Sequence, residues 1–360
     1  MPPNAKRSSV DPVGRETSQP TEGLPAVAEQ TLPMEWRIWI AENRILGTPP
    51  DVLVEAAVKA GYSRHIVEEE LRSEQDNPYR RVAELTTKRY LKLKSILQAR
   101  KTLRNLGFNA QTIERRSKIS RGEFLDRYYA ANRPVILTGM LAGSVARRDW
   151  TPEYLAEMCG NADVQIMAGR GSDPHYELNS DLHRRELKMA EYVSMVTAGG
   201  PSNDYYLVAN NHFFEREEFA KLYDQIPRID EYINHDDGKR KTFLWFGPSG
   251  TITPLHHDLM NVLVAQIFGK KRFILVSPED TPFIYNESGC YGDVNCSLPD
   301  YDKHPLYKES SPIALTLFPG DVLFIPVGWW HYVQSIDVSI MVSYTNFHYP
   351  NDFNLYLPRP

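Results

Sequence analysis

The stretch Phe318-Pro-Gly-Asp-Val-Leu-Phe-Ile-Pro-Val-Gly-Trp-Trp-His331 reads as turn, strand, turn and strand. Pro319-Gly320-Asp321 is a turn signal, since these residue types fix or relax the backbone where it must reverse. The apolar run Val322–Ile325 has the length of a buried strand. Pro326 cannot donate to a ladder and ends it, and Val327-Gly328 makes the next turn. His331 then opens a further strand, Tyr332–Ser335, beside two tryptophans. Further turn signals fall at Gly247-Pro248, Gly269 and Pro278. Short strands at this spacing after Phe243 predict a β-sandwich or barrel.

Upstream the pattern is mixed. Ser120-Arg121-Gly122-Glu123 is a capping box that predicts a helix running to Tyr129. Pro134–Thr138, Val164–Ala168 and Tyr205–Val208 read as strands, and Thr151-Pro152 starts a helix to about Cys159. Before residue 110 the pattern is helical. Three short helices fit Met34–Leu46, Asp51–Ala60 and Ser63–Glu74, divided by Gly47-Thr48-Pro49-Pro50 and Gly61. A longer one fits Asn77–Gly107, with Val82, Leu85, Leu93, Ile96, Leu97, Leu103 and Leu106 as its apolar face. Its other face is basic, from Lys88 to Arg104. That face is either solvated charge or a docking surface for an acidic partner. Residues 1–33 hold six prolines and no aromatic residue, and read as a disordered tail. The expected division is therefore a tail at 1–33, a helical module at 34–110 and a mainly β catalytic domain at 118–360.

Composition narrows the class. The chain of 360 residues is 42% hydrophobic, enough for a sizeable core. Its net charge of −5 speaks against a nucleic-acid partner as a global property. The segment Met1–Pro33 lacks an apolar signal core, and no run approaches the length of a membrane helix. The 3 cysteines form no CxxC pair, which speaks against a disulfide scaffold and for a reducing, cytoplasmic setting.

The chemistry sits in Thr253-Pro-Leu-His-His-Asp258. On a strand, alternate side chains share a face, so His256 and Asp258 point one way and His257 the other. His331 is the candidate third ligand. Two imidazoles and one carboxylate on one side of a metal form the ligand set of non-haem Fe(II) oxygenases; zinc accepts the same atoms but has no redox chemistry. An oxygenase of this kind needs a dicarboxylate co-substrate, whose far carboxylate calls for a buried cation and a hydroxyl. Gly269-Lys270-Lys271-Arg272-Phe273 offers three cations on one strand. Alternation groups Lys271 with Phe273 and Leu275, and Lys270 with Arg272. Thr253 offers the hydroxyl.

With these motifs assembled, residues 120–353 resemble the JmjC/cupin-8 group of 2-oxoglutarate oxygenases, and among them the hydroxylases similar to the asparaginyl hydroxylase that inhibits hypoxia-inducible factor. Ile119–Leu125, Arg133–Gly139, Thr253–Asp258, Gln266–Phe273, Pro319–Pro326 and Trp329–His331 carry the likeness. The resemblance implies a double-stranded β-helix, or jelly roll, preceded by the α-helical module. It implies that His256, Asp258 and His331 bind Fe(II), and that Thr253, Lys271 and Tyr206 hold 2-oxoglutarate, with Tyr205 as the rival to Tyr206. Asn346 matches an asparagine near the other end of that molecule. Where the hydroxylases carry an asparagine four residues after the iron aspartate, this chain has Val262, with Asn261 one residue earlier.

The function expected is O2-dependent hydroxylation of a side chain in a protein or peptide. N-methyl-lysine demethylation and small-molecule oxidation are alternatives of the same chemistry, and a non-catalytic cupin scaffold is the alternative from another class. Self-association as a homodimer is left open. Arg170, Tyr176 and Asn210 lie in irregular stretches, where a place at a substrate entrance and a surface or structural position are both compatible with the sequence.

Overall fold

The computed structural model describes residues 31–73, 77–107, 110–117, 119–209, 212–236 and 238–358. The tail expected at 1–33 lies outside these residues save for 31–33, and Asn210 lies outside them as well. The chain forms two compact units. The first runs to Arg104 and also takes in Pro282–Tyr285 and Pro299–Ser310, two segments that the sequence reading assigns to the β domain. The second holds the remainder from Asn105 onward. No helix among the described residues is long and apolar enough to cross a membrane.

In the first unit, α1 (Met34–Ile45), α2 (Pro50–Lys59) and α3 (Arg64–Ser73) close around Trp36, Trp39, Ile40, Leu53, Val54, Ala57, Val67 and Leu71. Helix α4 (Pro78–Asn105) buries none of its residues. Here the sequence reading needs correction. The apolar stripe Val82, Leu85, Leu93, Ile96 and Leu103 is exposed. The half-covered positions are 80, 83, 84, 87, 90, 94, 97, 101 and 104, a 3–4 spacing along the opposite side. Lys94 and Lys101 lie 5.4 and 5.1 Å from the centre of the Phe283 ring, and the Lys101 ammonium donates to the Glu309 carbonyl. Lysine stems and cation–π contacts dominate this seam, and Leu97 is the one residue of the expected apolar face that it half-covers.

The second unit contains thirteen described strands: β1 (Glu114–Ser117), β2 (Val135–Thr138), β3 (Asp163–Ala168), β4 (Arg184–Lys188), β5 (Tyr205–Tyr206), β6 (Thr242–Gly247), β7 (Ile252–His256), β8 (Val262–Phe268), β9 (Lys271–Val276), β10 (Ile313–Leu317), β11 (Val322–Ile325), β12 (Trp330–Ser335) and β13 (Ser339–Tyr344). They make a six-stranded sheet ordered β1-β2-β11-β8-β13-β6, a four-stranded sheet ordered β10-β9-β12-β7 and a small sheet ordered β4-β3-β5. The two larger sheets face each other as a jelly roll. Alternation along each strand sorts the core. Val262, Val264, Leu323, Ile325 and Met341 pack inward with Phe273, Leu275 and Val333 of the other sheet. Leu263, Ala265, Val322, Phe324 and Val342 point the opposite way, onto Phe124, Tyr128, Leu155 and Tyr192. The six-stranded sheet is thus buried on both faces, and each such side chain contributes about 1.5–3 kcal/mol.

The outer layer is helical: α5 (Arg121–Phe124), α6 (Val145–Asp149), α7 (Pro152–Cys159) and α8 (Met189–Ala198). The expected caps are formed, with Ser120 Oγ accepting from the Glu123 N–H and Thr151 Oγ1 from the Tyr154 N–H, both at 3.2 Å. After Phe124 the first of these helices widens into a π turn through Tyr129.

Candidate metal centre and its cavity

Strand β7 ends on His256, and β12 runs antiparallel beside it with His331 directly opposite. The two imidazole centroids are 4.0 Å apart. Two residues beyond His256, the Asp258 carboxylate comes within 3.6 Å of His331 Nε2. One ligand atom from each of the three lies within 4.8 Å of the others.

The orientation of both rings is fixed by backbone. His256 Nδ1 meets the Pro254 carbonyl at 2.8 Å, and His331 Nδ1 meets the Trp329 carbonyl at 3.0 Å. A carbonyl only accepts, so each Nδ1 carries the hydrogen and each Nε2 keeps its lone pair for a metal. Burial, together with the neighbouring His256, pulls the His331 pKa down to about 4, so it stays neutral as a ligand must.

The turn before His331 is held equally firmly. Gly328 adopts φ 77°, a conformation that favours glycine, and its N–H points to the Asp258 carbonyl at 3.4 Å. The Asn261 side chain accepts from the Val327 N–H at 2.8 Å. Trp329 donates to Asn132 and Trp330 to Thr281. These bonds tie the Asp258–Asn261 segment to the turn that delivers His331. His257 faces away and packs edge-on against Trp330, 4.6 Å between centroids.

The three candidate ligands open into a cavity between the two sheets. Tyr206, Thr253, Phe273, Val262 and Ser343 line it, with Trp245 and Met341. Behind Tyr206 lies Lys271, which is 1% exposed. Its ammonium donates to the Tyr206 hydroxyl at 2.6 Å. Burial, and then the charge of Arg170, lower the Lys271 pKa to about 7. Among the described residues no carboxylate pairs with it. Lys270 instead meets Asp337 at the surface, and Arg272 is exposed. Tyr205 turns outward and donates to the Met195 carbonyl at 2.9 Å.

Asn346 is not brought to the cavity. Its amide donates to the carbonyls of Asn234 and Asp236 at 2.6 and 2.7 Å, closing a loop beyond the end of β13. Asn261 spends its side chain on Val327, so the position facing the cavity there is the apolar Val262. Arg170 and Tyr176 are interior rather than surface residues. The sequence reading missed Trp245 and Ser343, whose side chains bond at 2.9 Å. They come from β6 and β13, and only strand pairing unites them.

Two imidazoles and a carboxylate converging from one side leave the opposite side of an ion open to the cavity. That donor set fits Fe(II).

The arrangement has relatives. Residues 121–353 match the family model described as cupin-like domain. Lysine-specific demethylase 8 of Xenopus tropicalis is 28% identical over 239 residues, covering 61% of this chain and 49% of that protein. Lysine-specific demethylase JMJ30 of Arabidopsis thaliana is 31% identical over 241 residues, 64% of this chain and 54% of its own. The tRNA wybutosine-synthesizing protein 5 of Gallus gallus is 28% identical over 246 residues, 64% of this chain and 76% of its own. The chain spans about half the length of the two demethylases. Since the family model covers well over half of the sequence and the jelly roll with its ligand-bearing strands lies inside the match, the chain belongs to the cupin-like domain family.

Proposed function

We propose that this chain is an Fe(II)- and 2-oxoglutarate-dependent oxygenase that hydroxylates a side chain of a protein or peptide. One observation carries the reading: a single cavity has a His–Asp–His set at one end and, toward the other, Tyr206 backed by a buried ammonium that lacks a counter-charge among the described residues. A 2-oxo dicarboxylic acid complements both. Its oxo group and adjacent carboxylate suit the metal, and its far carboxylate suits Lys271, Tyr206 and Thr253.

His256, Asp258 and His331 would hold the ion, which when bound supplies the redox chemistry that couples O2 to loss of CO2 from the 2-oxo acid. The balance is one C–H, one 2-oxoglutarate and one O2 giving one C–OH, one succinate and one CO2. The residues of this chain orient the acid and keep water out. Phe273, Val262, Val264, Ile325, Val333 and Met341 give the cavity apolar walls, which strengthen the charge pairing at Lys271. Selectivity then rests on where the substrate C–H is placed.

Demethylation is the second reading, favoured by the names of two relatives. The same step at an N-methyl carbon gives an unstable carbinolamine that releases formaldehyde. The exposed apolar stripe and basic residues of α4 support a docking role for a substrate with acidic and apolar side chains. Cys159, Cys290 and Cys296 form no disulfide among the described residues, which suits the cytoplasm.

The test is succinate production from 2-oxoglutarate by the Fe(II)-loaded protein, followed by mass spectrometry of proteins captured on Asp258→Ala and treated with wild type. A gain of one oxygen supports hydroxylation; loss of a methyl group with formaldehyde supports the second reading. Absence of any 2-oxoglutarate binding or turnover rejects both.

A further inference from the structure

Arg170 follows β3 after Gly169, and its side chain is completely buried. One terminal nitrogen, Nη2, donates to Glu177 Oε1 at 2.9 Å and to the Ile252 carbonyl at 2.6 Å. Its other nitrogens, Nε and Nη1, have no hydrogen-bond partner. The guanidinium carbon lies 4.2 Å from the centre of the Tyr176 ring and 5.4 Å from that of Tyr206. The Lys271 ammonium sits 5.0 Å from the same Tyr206 ring. Two buried cations therefore share one tyrosine, and the one carboxylate shown beside them, Glu177, pairs with Arg170 and not with Lys271.

An arginine with unpaired buried N–H groups is costly, and arginine does not shed its proton. The Glu177 carboxylate and the Ile252 carbonyl engage Nη2 alone, so the rest of the guanidinium is buried with no hydrogen bond to hold it there. We infer that Arg170 is a positioning residue for the far carboxylate of the 2-oxo acid, acting through Tyr206 and Lys271 by leaving the cluster one positive charge in excess until that carboxylate enters. The inference rests on the proposed function and deepens it, because it concerns how the same pocket is set.

Two consequences follow from the geometry. Arg170 braces the Tyr206 ring, so the hydroxyl that meets Lys271 is held in place. Arg170 also opposes the positive charge on Lys271, which adds to the effect of burial. The other groups facing this pair are the phenols of Tyr206, Tyr176 and Tyr192, all raised by burial and neutral in the working range, and the Glu177 carboxylate. Carboxylate binding therefore draws a proton onto Lys271, and affinity weakens as pH rises above about 7.

The experiment is calorimetric titration of 2-oxoglutarate into the Mn(II)-loaded full chain between pH 6 and 9, in buffers of different ionisation enthalpy. Wild type should bind with uptake of a fraction of a proton near pH 7 and weaken up to about tenfold per unit above it. Arg170→Gln should bind more weakly at pH 6.5, take up fewer protons at pH 7 and begin to weaken at higher pH. Arg170→Lys, which restores the charge but not the stack, should return the wild-type inflection. Glu177→Gln keeps Arg170, removes its compensation and should move the inflection down; it also carries the test if Arg170→Gln fails to fold. An unchanged inflection and proton uptake in both neutralising variants would overturn the inference while leaving the proposed function standing. Failure of wild type to bind 2-oxoglutarate removes the proposed function itself.

Discussion

His256 and His331 are direct cross-strand partners, set opposite each other on β7 and β12 with their ring centres 4.0 Å apart. The antiparallel register, rather than any loop, fixes the distance between two of the three candidate ligands. Strand side chains are therefore expected to hold this geometry before an ion arrives.

Asp258 is the separable ligand, because it lies beyond the end of β7 and is half-buried. Asp258→Ala should fold with an unchanged circular dichroism spectrum and lose Fe(II) binding and succinate production. Retention of turnover above about 1% would reject the assignment.

Asn261→Ala tests the support of the site. The variant leaves the Val327 N–H without its acceptor, a cost of about 1–3 kcal/mol. It also loosens the turn that carries His331. Metal affinity should fall about 10–100-fold, the range for groups that orient ligands, while affinity for 2-oxoglutarate at saturating metal changes less. Equal affinity for metal in variant and wild type would show that the turn is held by Trp329 and Trp330 alone.

Lys271→Met should separate stability from function. Removing an unpaired buried charge should raise Tm by a few degrees at pH 6. The sign follows from linkage. The folded-state pKa lies near 7 and the unfolded value near 10.5, so the unfolded chain binds more protons between them. The cost of burying the ammonium is full below pH 7 and is relieved as pH rises toward 10.5. The gain in Tm should accordingly shrink at pH 9. Binding of 2-oxoglutarate should weaken by about two to three decades, the equivalent of losing the partner of a buried charge. Thermal scans at two pH values, with and without 2-oxoglutarate, check both halves.

Gly247→Ala should act on Tyr206. A Cβ at this position would stand 2.7 Å from Tyr206 Cδ2, closer than carbon atoms tolerate. The ring must shift, at about 1–3 kcal/mol in stability. The apparent constant for 2-oxoglutarate should rise with metal affinity intact, a split that global loosening would not give.

Charge reversal on α4 tests docking. Because the first unit includes Pro282–Tyr285 and Pro299–Ser310, deleting the N-terminal helices would strip those segments of their partners. Replacing the exposed Lys88, Arg89 and Lys92 with Glu avoids this. Uncoupled 2-oxoglutarate turnover should be unchanged, while binding of an acidic substrate should weaken and lose its salt dependence. Equal substrate binding would assign these lysines and arginines to solvation.

How far the sequence could be read follows from where each signal was encoded. The alternation in Thr253–Asp258 and the turn before His331 are local patterns, and they led to three residues that converge. Lys271 was legible from the period of its strand, since it shares a face with Phe273, which lines the cavity. Strands β1 and β4 were not, because Glu-Arg-Arg-Ser and Arg-Arg-Glu-Leu-Lys are too charged for any strand pattern. Arg115 of β1 is tolerated because Asp321 takes it in a bidentate pair at 2.8 and 2.7 Å. Asn346 was matched by motif position alone, and it lies two residues past the end of β13, where its amide closes a loop. The apolar stripe of α4 was read as a packed face on period alone, yet the opposite side makes the contacts. Arg170 carried no linear signal: its surroundings come from β5, β7 and the segment around Tyr176.

Strand β7 stands last in its sheet, and its outer edge is closed without a neighbouring strand along its length. Arg170 and Tyr176 both donate to the Ile252 carbonyl, Asn203 accepts from the Ile252 N–H, Pro254 has no N–H to offer, and Gly292 donates to the Leu255 carbonyl. An unpaired edge is a template on which another chain can add a strand. The groups around the carboxylate end of the cavity thus also guard against aggregation. Arg170 is one of two donors to the Ile252 carbonyl, so its loss would thin that cover, and light scattering at rising concentration should register the substitution even in the absence of any ligand.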